Sequence, residues 1–319
     1  MGETEYTYAV ARIRANELNL LTAGDVEQLV AADSVAGALR ILGDKGWNTE
    51  EKGDVCEAEL DKARRLICES VSDSGVFDAL IIGNDFANLK AAIKAFFSNI
   101  DASKYMTVPC VIPAERVIEA VKTKNFSLLP DYMRECAERA YNAVSETESG
   151  QNTEIIIDKC CLDTKMMLAE KSGSEILKKI AGLDCVTANI KIALRSVKTG
   201  KTKEFALNAL STGCKALDNE KLVGCAFMGE SLAPVIAGAG YPEIAEAADR
   251  DFVTLEMAAD NLTVQFSKTA KYDIFGADAV VAYYYAKVIE EKNVRIILSS
   301  KESGVPKESV MERVREMYV

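Results

Sequence analysis

Apolar residues recur at intervals of three and four along nearly the whole chain and nowhere alternate with polar ones over a useful length. That period predicts helices throughout and no sheet. Tyr6 to Arg14 opens a first helix that ends near Leu20-Leu21. Thr22 or Asp25 caps a second, whose apolar positions Val26, Leu29 and Val30 continue through Val35, Leu39 and Leu42. Gly43 to Gly53, with the single tryptophan Trp47, reads as a loop. A long helix from about Glu57 puts Leu60, Ala63, Leu66, Ile67 and Ser70 on one face and breaks at Asp73-Ser74-Gly75. Pro113 followed by Glu115 marks a further helix start. Residues 131–145 and 152–170 read as helical, as do a span from about Ala245 to Ser267 and another from Asp278 to Ser300. Pro306 begins a last short helix.

Within that pattern one stretch is written three times: Asn88-Leu89-Lys90-Ala91-Ala92-Ile93-Lys94, Asn189-Ile190-Lys191-Ile192-Ala193-Leu194-Arg195 and Asn293-Val294-Arg295-Ile296-Ile297-Leu298-Ser299. On a helix, the positions one, three, four and five after the asparagine form a broad apolar arc that includes the asparagine itself. The basic residue two places on (Lys90, Lys191, Arg295) falls on the opposite side, with Lys94 and Arg195 four further along in two copies. Each copy therefore reads as a core helix with one buried amide and a mostly basic outer face. A buried amide costs about 1–3 kcal/mol unless it finds partners, so its threefold recurrence points to one inherited supersecondary unit. The spacing of about 100 residues is the size of a small domain. It predicts three helical repeat domains, 1–105, 106–204 and 205–319.

Composition supports a folded, water-facing protein: 49% of the 319 residues are hydrophobic and 27% charged. With 38 basic against 49 acidic residues the net charge is −11, which argues against nucleic acid and against direct docking on an anionic bilayer. The acidic opening Met1-Gly2-Glu3-Thr4-Glu5 does not read as a secretion signal. The longest charge-free run, Ser231 to Pro242, falls well short of the ~20 apolar residues of a membrane span. Nine cysteines, none in C-x-x-C spacing, fit a reducing compartment and small apolar core residues.

Catalytic chemistry is not signposted. The chain has no histidine, which removes the commonest general base, the commonest zinc ligand and every Ser/His or Cys/His dyad. Gly238-Ala239-Gly240 beside Gly229 lacks the G-x-x-x-x-G-K-[ST] pattern of a phosphate loop and reads as a helix–helix connection. Glu290-Glu291 reads as part of a solvated face, and Tyr283-Tyr284-Tyr285 as core plus interface. No catalytic, cofactor-binding or metal-ligating residue is expected.

Three segments together resemble one family: Tyr6-x-Tyr8-Ala9-x-Ala11-Arg12-x-Arg14 with Leu20-Leu21, the three asparagine helices, and Ala286-Lys287-x-x-x-Glu291-x-Asn293-Val294-Arg295-Ile296-Ile297-Leu298. The family is that of the C subunits of the A/V-type rotary ATPases, homologous to the d subunit of the eukaryotic V-ATPase. The likeness runs over essentially the whole chain, although Tyr283-Tyr284-Tyr285 stands where apolar residues are usual. It implies an all-α protein of three similar domains in a pseudo-threefold funnel. It also implies a non-catalytic central-rotor adaptor on the cytoplasmic face, with the central-shaft subunits and the membrane proteolipid rotor ring as partners. Such an adaptor would link ATP hydrolysis or synthesis to proton or sodium transport. The competing expectation is a generic all-α interaction scaffold. Lys90, Lys94, Lys191, Arg195 and Arg295 are the candidate partner-interface residues.

Overall fold

The structure, a computed structural model, describes residues 6–49, 54–71, 74–147 and 150–319. The opening Met1–Glu5, the end of the Trp47 loop and Asp73 at the expected break lie outside them. Among the described residues the chain is all-α. Its helices are α1 (Thr7–Glu17), α2 (Ala23–Ala31), α3 (Val35–Asp44), α4 (Val55–Ser70), α5 (Ser74–Phe97), α6 (Ala114–Thr123), α7 (Asp131–Thr147) and α8 (Gly150–Lys171). They continue with α9 (Glu175–Lys198), α10 (Lys203–Ala209), α11 (Asn219–Met228), α12 (Ala233–Gly238), α13 (Pro242–Ala248), α14 (Phe252–Lys268), α15 (Ala277–Glu302) and α16 (Lys307–Met311).

Local chemistry accounts for many of the starts. Thr22 and Asp25 act together as a capping box on α2, and single carboxylates or hydroxyls cap α3, α4, α10, α11 and α14. The proline-marked starts hold too, with Pro113 and Pro306 immediately before α6 and α16. Gly229 closes α11 at φ +71°, a left-handed conformation that favours glycine.

Two spans expected to be continuous are broken. The helix running through Val35, Leu39 and Leu42 is interrupted, because Ser34 turns its hydroxyl to the Gly37 amide and starts α3 afresh. The apolar spacing survives the break because Val30, Ala38 and Leu42 share one core. The Ala245–Ser267 span likewise divides into α13 and α14, where Asp251 caps the Thr254 amide.

By packing, the chain forms two compact units. The first comprises Met1–Ser74, Gly173–Ile180 and Arg250–Val319. At its centre is α15, which packs on α1, α2, α3, α4 and α14. Enclosed on so many sides, α15 buries all three of Tyr283, Tyr284 and Tyr285. Trp47 joins Leu21, Leu29, Leu42, Val294 and Ile297 in the core of this unit. The second comprises Gly75–Ser172 and Ala181–Asp249. Its main core gathers Phe86, Leu89 and Ile93 of α5 with Met133, Ala137 and Ile157 of the antiparallel α7–α8 pair.

Candidate functional site

The three repeated asparagines sit on the three long helices α5, α9 and α15, and all are buried, at 0%, 1% and 0% exposure for Asn88, Asn189 and Asn293. Each does the same thing. Asn88 Nδ2 donates to the carbonyl of Thr107 (3.0 Å) and its Oδ1 accepts the Thr107 amide (2.6 Å). Asn189 makes the same pair with Ser211, at 2.9 Å in both directions. Asn293 makes it with Arg315, at 3.1 and 2.8 Å. One side-chain amide thus grips both polar groups of one residue lying 19, 22 and 22 positions downstream. Every copy reaches that residue after a short helical turn: residues Ala102–Tyr105, α10 and α16 respectively. The partners that a buried amide requires are therefore backbone partners.

Two copies share a second strut from the helix before. Asp163 of α8 accepts the Thr212 amide at 2.9 Å, and Asn261 of α14 accepts the Glu316 amide at 2.9 Å. In the remaining copy Asp85 of α5 accepts the amides of Val111 (3.1 Å) and Ile112 (2.7 Å). Burial drives the Asp85 carboxyl above the usual range, and these two amides oppose that.

Three of the basic residues of the motif, Lys90, Lys94 and Arg295, lie toward neighbouring carboxylates. Lys90 bonds Asp158 at 2.5 Å and Lys94 bonds Glu154, so one face of α5 meets one face of α8 through two ion pairs. The Lys94 bond holds the Glu154 carboxyl below its usual range. Arg295 reaches Glu291 (2.6 Å) within α15 and Asp54 (2.8 Å) at the start of α4. Burial tends to raise the Asp54 carboxyl, but the Arg295 bond and backbone amides bring it down. Lys191 is half-buried on α9, and Arg195 is exposed near the end of that helix. The structure brings Lys90 and Lys94 together on one helix face. A partner meeting that face, or meeting Arg295, would meet ion pairs rather than bare cations.

One constellation escapes the sequence pattern. In the first unit Lys287 of α15 is 4% exposed and lies 2.9 Å from Glu59 of α4 and 2.9 Å from Glu290 of its own helix. Glu290 also accepts the Leu21 amide at 2.5 Å, and Trp47 places its ring 5.8 Å from the Lys287 ammonium. The reading of Glu290-Glu291 as a solvated face is therefore corrected: Glu290 is 1% exposed, and Glu291 is engaged with Arg295. Successive helical residues diverge by about 100°, so one of the pair points inward while the other skirts the surface. The available signal was Lys287 and Glu290 at i, i+3 within an otherwise apolar run.

Among the described residues no helix is long and apolar enough to cross a membrane, and no group of three or more His, Cys, Asp or Glu residues could hold a metal ion. Fold and site together define an all-helical protein on a thrice-used plan of helix and amide clamp, with Lys90, Lys94, Lys287 and Arg295 joining helices through ion pairs. The chain belongs to the ATP synthase (C/AC39) subunit family, whose model matches residues 9–313. It is similar to the C subunit of the V-type sodium ATPase of Enterococcus hirae, with 23% identity over 327 residues that cover 98% of this chain and 99% of that relative. The resemblance carried by Tyr6 to Leu21, the asparagine helices and the Ala286–Leu298 stretch is thus confirmed.

Proposed function

We propose that this chain is a non-catalytic stalk subunit of a V-type ATPase or ATP synthase, acting as a socket that couples the central stalk to the proteolipid ring. In this reading 1–105, 106–204 and 205–319 are three similar helical domains around a pseudo-threefold axis, opening as a funnel on the cytoplasmic side of the membrane. ATP hydrolysis or synthesis elsewhere in the complex is then linked through the socket to proton or sodium movement through the ring.

The observation that carries the proposal is the clamp. Asn88, Asn189 and Asn293 each lock the segment that follows their helix by the same reciprocal pair of bonds. A transmission part needs stiffness and contact surfaces rather than a pocket, and three segments pinned by buried amides supply stiffness. The family match over residues 9–313 supports the assignment to the complex.

The interface residues are Lys90, Lys94, Lys191, Arg195 and Arg295, which present charge to the shaft, paired at Lys90, Lys94 and Arg295. Reversing Lys90, Lys191 and Arg295 together should weaken binding to the isolated shaft subunit, measured by calorimetry; unchanged affinity removes these residues from the seat. Affinity purification of the tagged chain from its own membranes tests the role itself. Recovery of the ring and the shaft is expected, and recovery of neither would leave only an interaction scaffold.

A further inference from the structure

The antiparallel helices α7 and α8 carry three of the nine cysteines. Cys136 on α7 is buried, and Cys160 and Cys161 on α8 are partly exposed. The pair is held in register by Thr153, whose hydroxyl donates to the Ala140 carbonyl at 3.2 Å. In that register the Cys136 sulfur lies 3.9 Å from the carbonyl oxygen of Ile156. One helical turn beyond Ile156, on the same face of α8, is Cys160. Cys136 belongs to the Met133–Ile157 core and Cys160 packs against that same core. Cys161 is rotated about 100° away around α8.

The two sulfurs are unequally placed, Cys136 buried and Cys160 partly exposed. Hydrogen bonding to Cys136 draws the Cys160 thiol below the usual thiol range, against burial that would raise it. Cys160 is thus the one of the pair that solvent reaches.

We propose that Cys136 and Cys160 are a redox pair that closes to a reversible disulfide, stapling α7 to α8, when the protein meets a peroxide. The Cys160 thiolate attacks one oxygen of hydrogen peroxide, the O–O bond breaks, and the departing hydroxide takes up a proton to become water. Cys160 is left as a sulfenic acid. The Cys136 sulfur then displaces the hydroxyl, its own proton leaving with it as a second water, and the S–S bond forms. Two thiols are oxidised and one peroxide is reduced to two waters. A dithiol reverses the step by exchange. The staple bears on the interface because α8 also presents Glu154 and Asp158 to Lys94 and Lys90.

The test uses the full-length chain, fully reduced, then treated with hydrogen peroxide, alkylated and digested with trypsin without reductant. The expected product is the peptide 135–139, bearing Cys136, joined to the peptide 160–165. Because that second peptide holds both Cys160 and Cys161, two variants assign the bond. Cys160→Ser loses the linked peptide and Cys161→Ser keeps it; dithiothreitol removes it from the wild type. The proposal is overturned if the wild type shows no link while the exposed Cys68 is oxidised, or if the link survives Cys160→Ser and disappears in Cys161→Ser. The wild-type digest decides the first outcome without any variant needing to fold.

Discussion

Replacing Asn189 by alanine removes both hydrogen bonds to Ser211, each 2.9 Å long. At about 1 kcal/mol net per bond the direct loss is about 2 kcal/mol. Ser211 is 1% exposed, so water cannot take over its amide, and an orphaned buried donor adds about 1–3 kcal/mol. Its carbonyl fares better, since Asn219 Nδ2 also donates to it at 2.9 Å. The expected cost of Asn189→Ala is therefore about 2–4 kcal/mol. Asn88→Ala should cost less, about 1–2 kcal/mol, because Thr107 is only half-buried and water can replace the amide. Urea unfolding of both variants measures the totals. Hydrogen exchange followed by mass spectrometry measures the Ser211 amide directly, which should lose protection in Asn189→Ala while the α7–α8 amides keep theirs. A loss within 0.5 kcal/mol, as for an ordinary surface change, or an unaltered Ser211 amide, would refute the idea that the asparagine holds this segment.

Three further outcomes follow from other parts of the fold. Lys287→Met leaves Glu59 and Glu290 facing each other in the core with only the exposed Lys62, 3.5 Å from Glu59, as counter-charge, and should cost about 3–5 kcal/mol in urea unfolding; adding Glu59→Gln and Glu290→Gln should recover part of it. Burial raises the Glu290 carboxyl from 4.5 to about 7 despite Lys287, so the folded chain holds that proton more tightly than the unfolded one. The stability Glu290 contributes is full below about pH 4.5 and is lost as pH rises through about 7. The stability of the wild type relative to Glu290→Gln should accordingly fall between pH 5 and pH 7, and a constant difference would contradict the assignment. Finally, a Cβ on Gly182 would sit 2.3 Å from the Tyr241 hydroxyl oxygen but 3.6 Å from the ring carbon that bears it. Gly182→Ala should cost about 1–3 kcal/mol in the wild type and much less in a Tyr241→Phe background, a coupling that a double-mutant cycle reads directly.

How much of this was legible in the sequence depends on the range of the interaction. Helical period alone established the all-α class, and helical phase placed Asn88, Asn189 and Asn293 inside. Phase could not name their partners, because those are peptide groups 19 to 22 positions away whose side chains carry no signal. The outward direction of Lys90 and Lys94 was likewise visible, while Asp158 and Glu154 lie 68 and 60 positions on, and only packing brings them within reach. The missed break at Ser34 arises from a short polar cap inside a span whose apolar spacing runs on because both sides face one core, whereas the cap at Asp251 falls where the chain passes from one compact unit to the other. Lys287 with Glu59 and Glu290 was hidden for the opposite reason: composition treats charged residues as surface, and only the enclosure of α15 makes these three interior.

The amide clamp recognises main chain. Threonine, serine and arginine occupy the gripped position in the three copies, and the asparagine is indifferent to which, since every amino acid other than proline offers the same pair of groups. Natural variation can therefore rewrite the held residue freely while leaving each fastening intact. Descendants of one ancestral unit would then grow unlike in letters long before they grew unlike in shape.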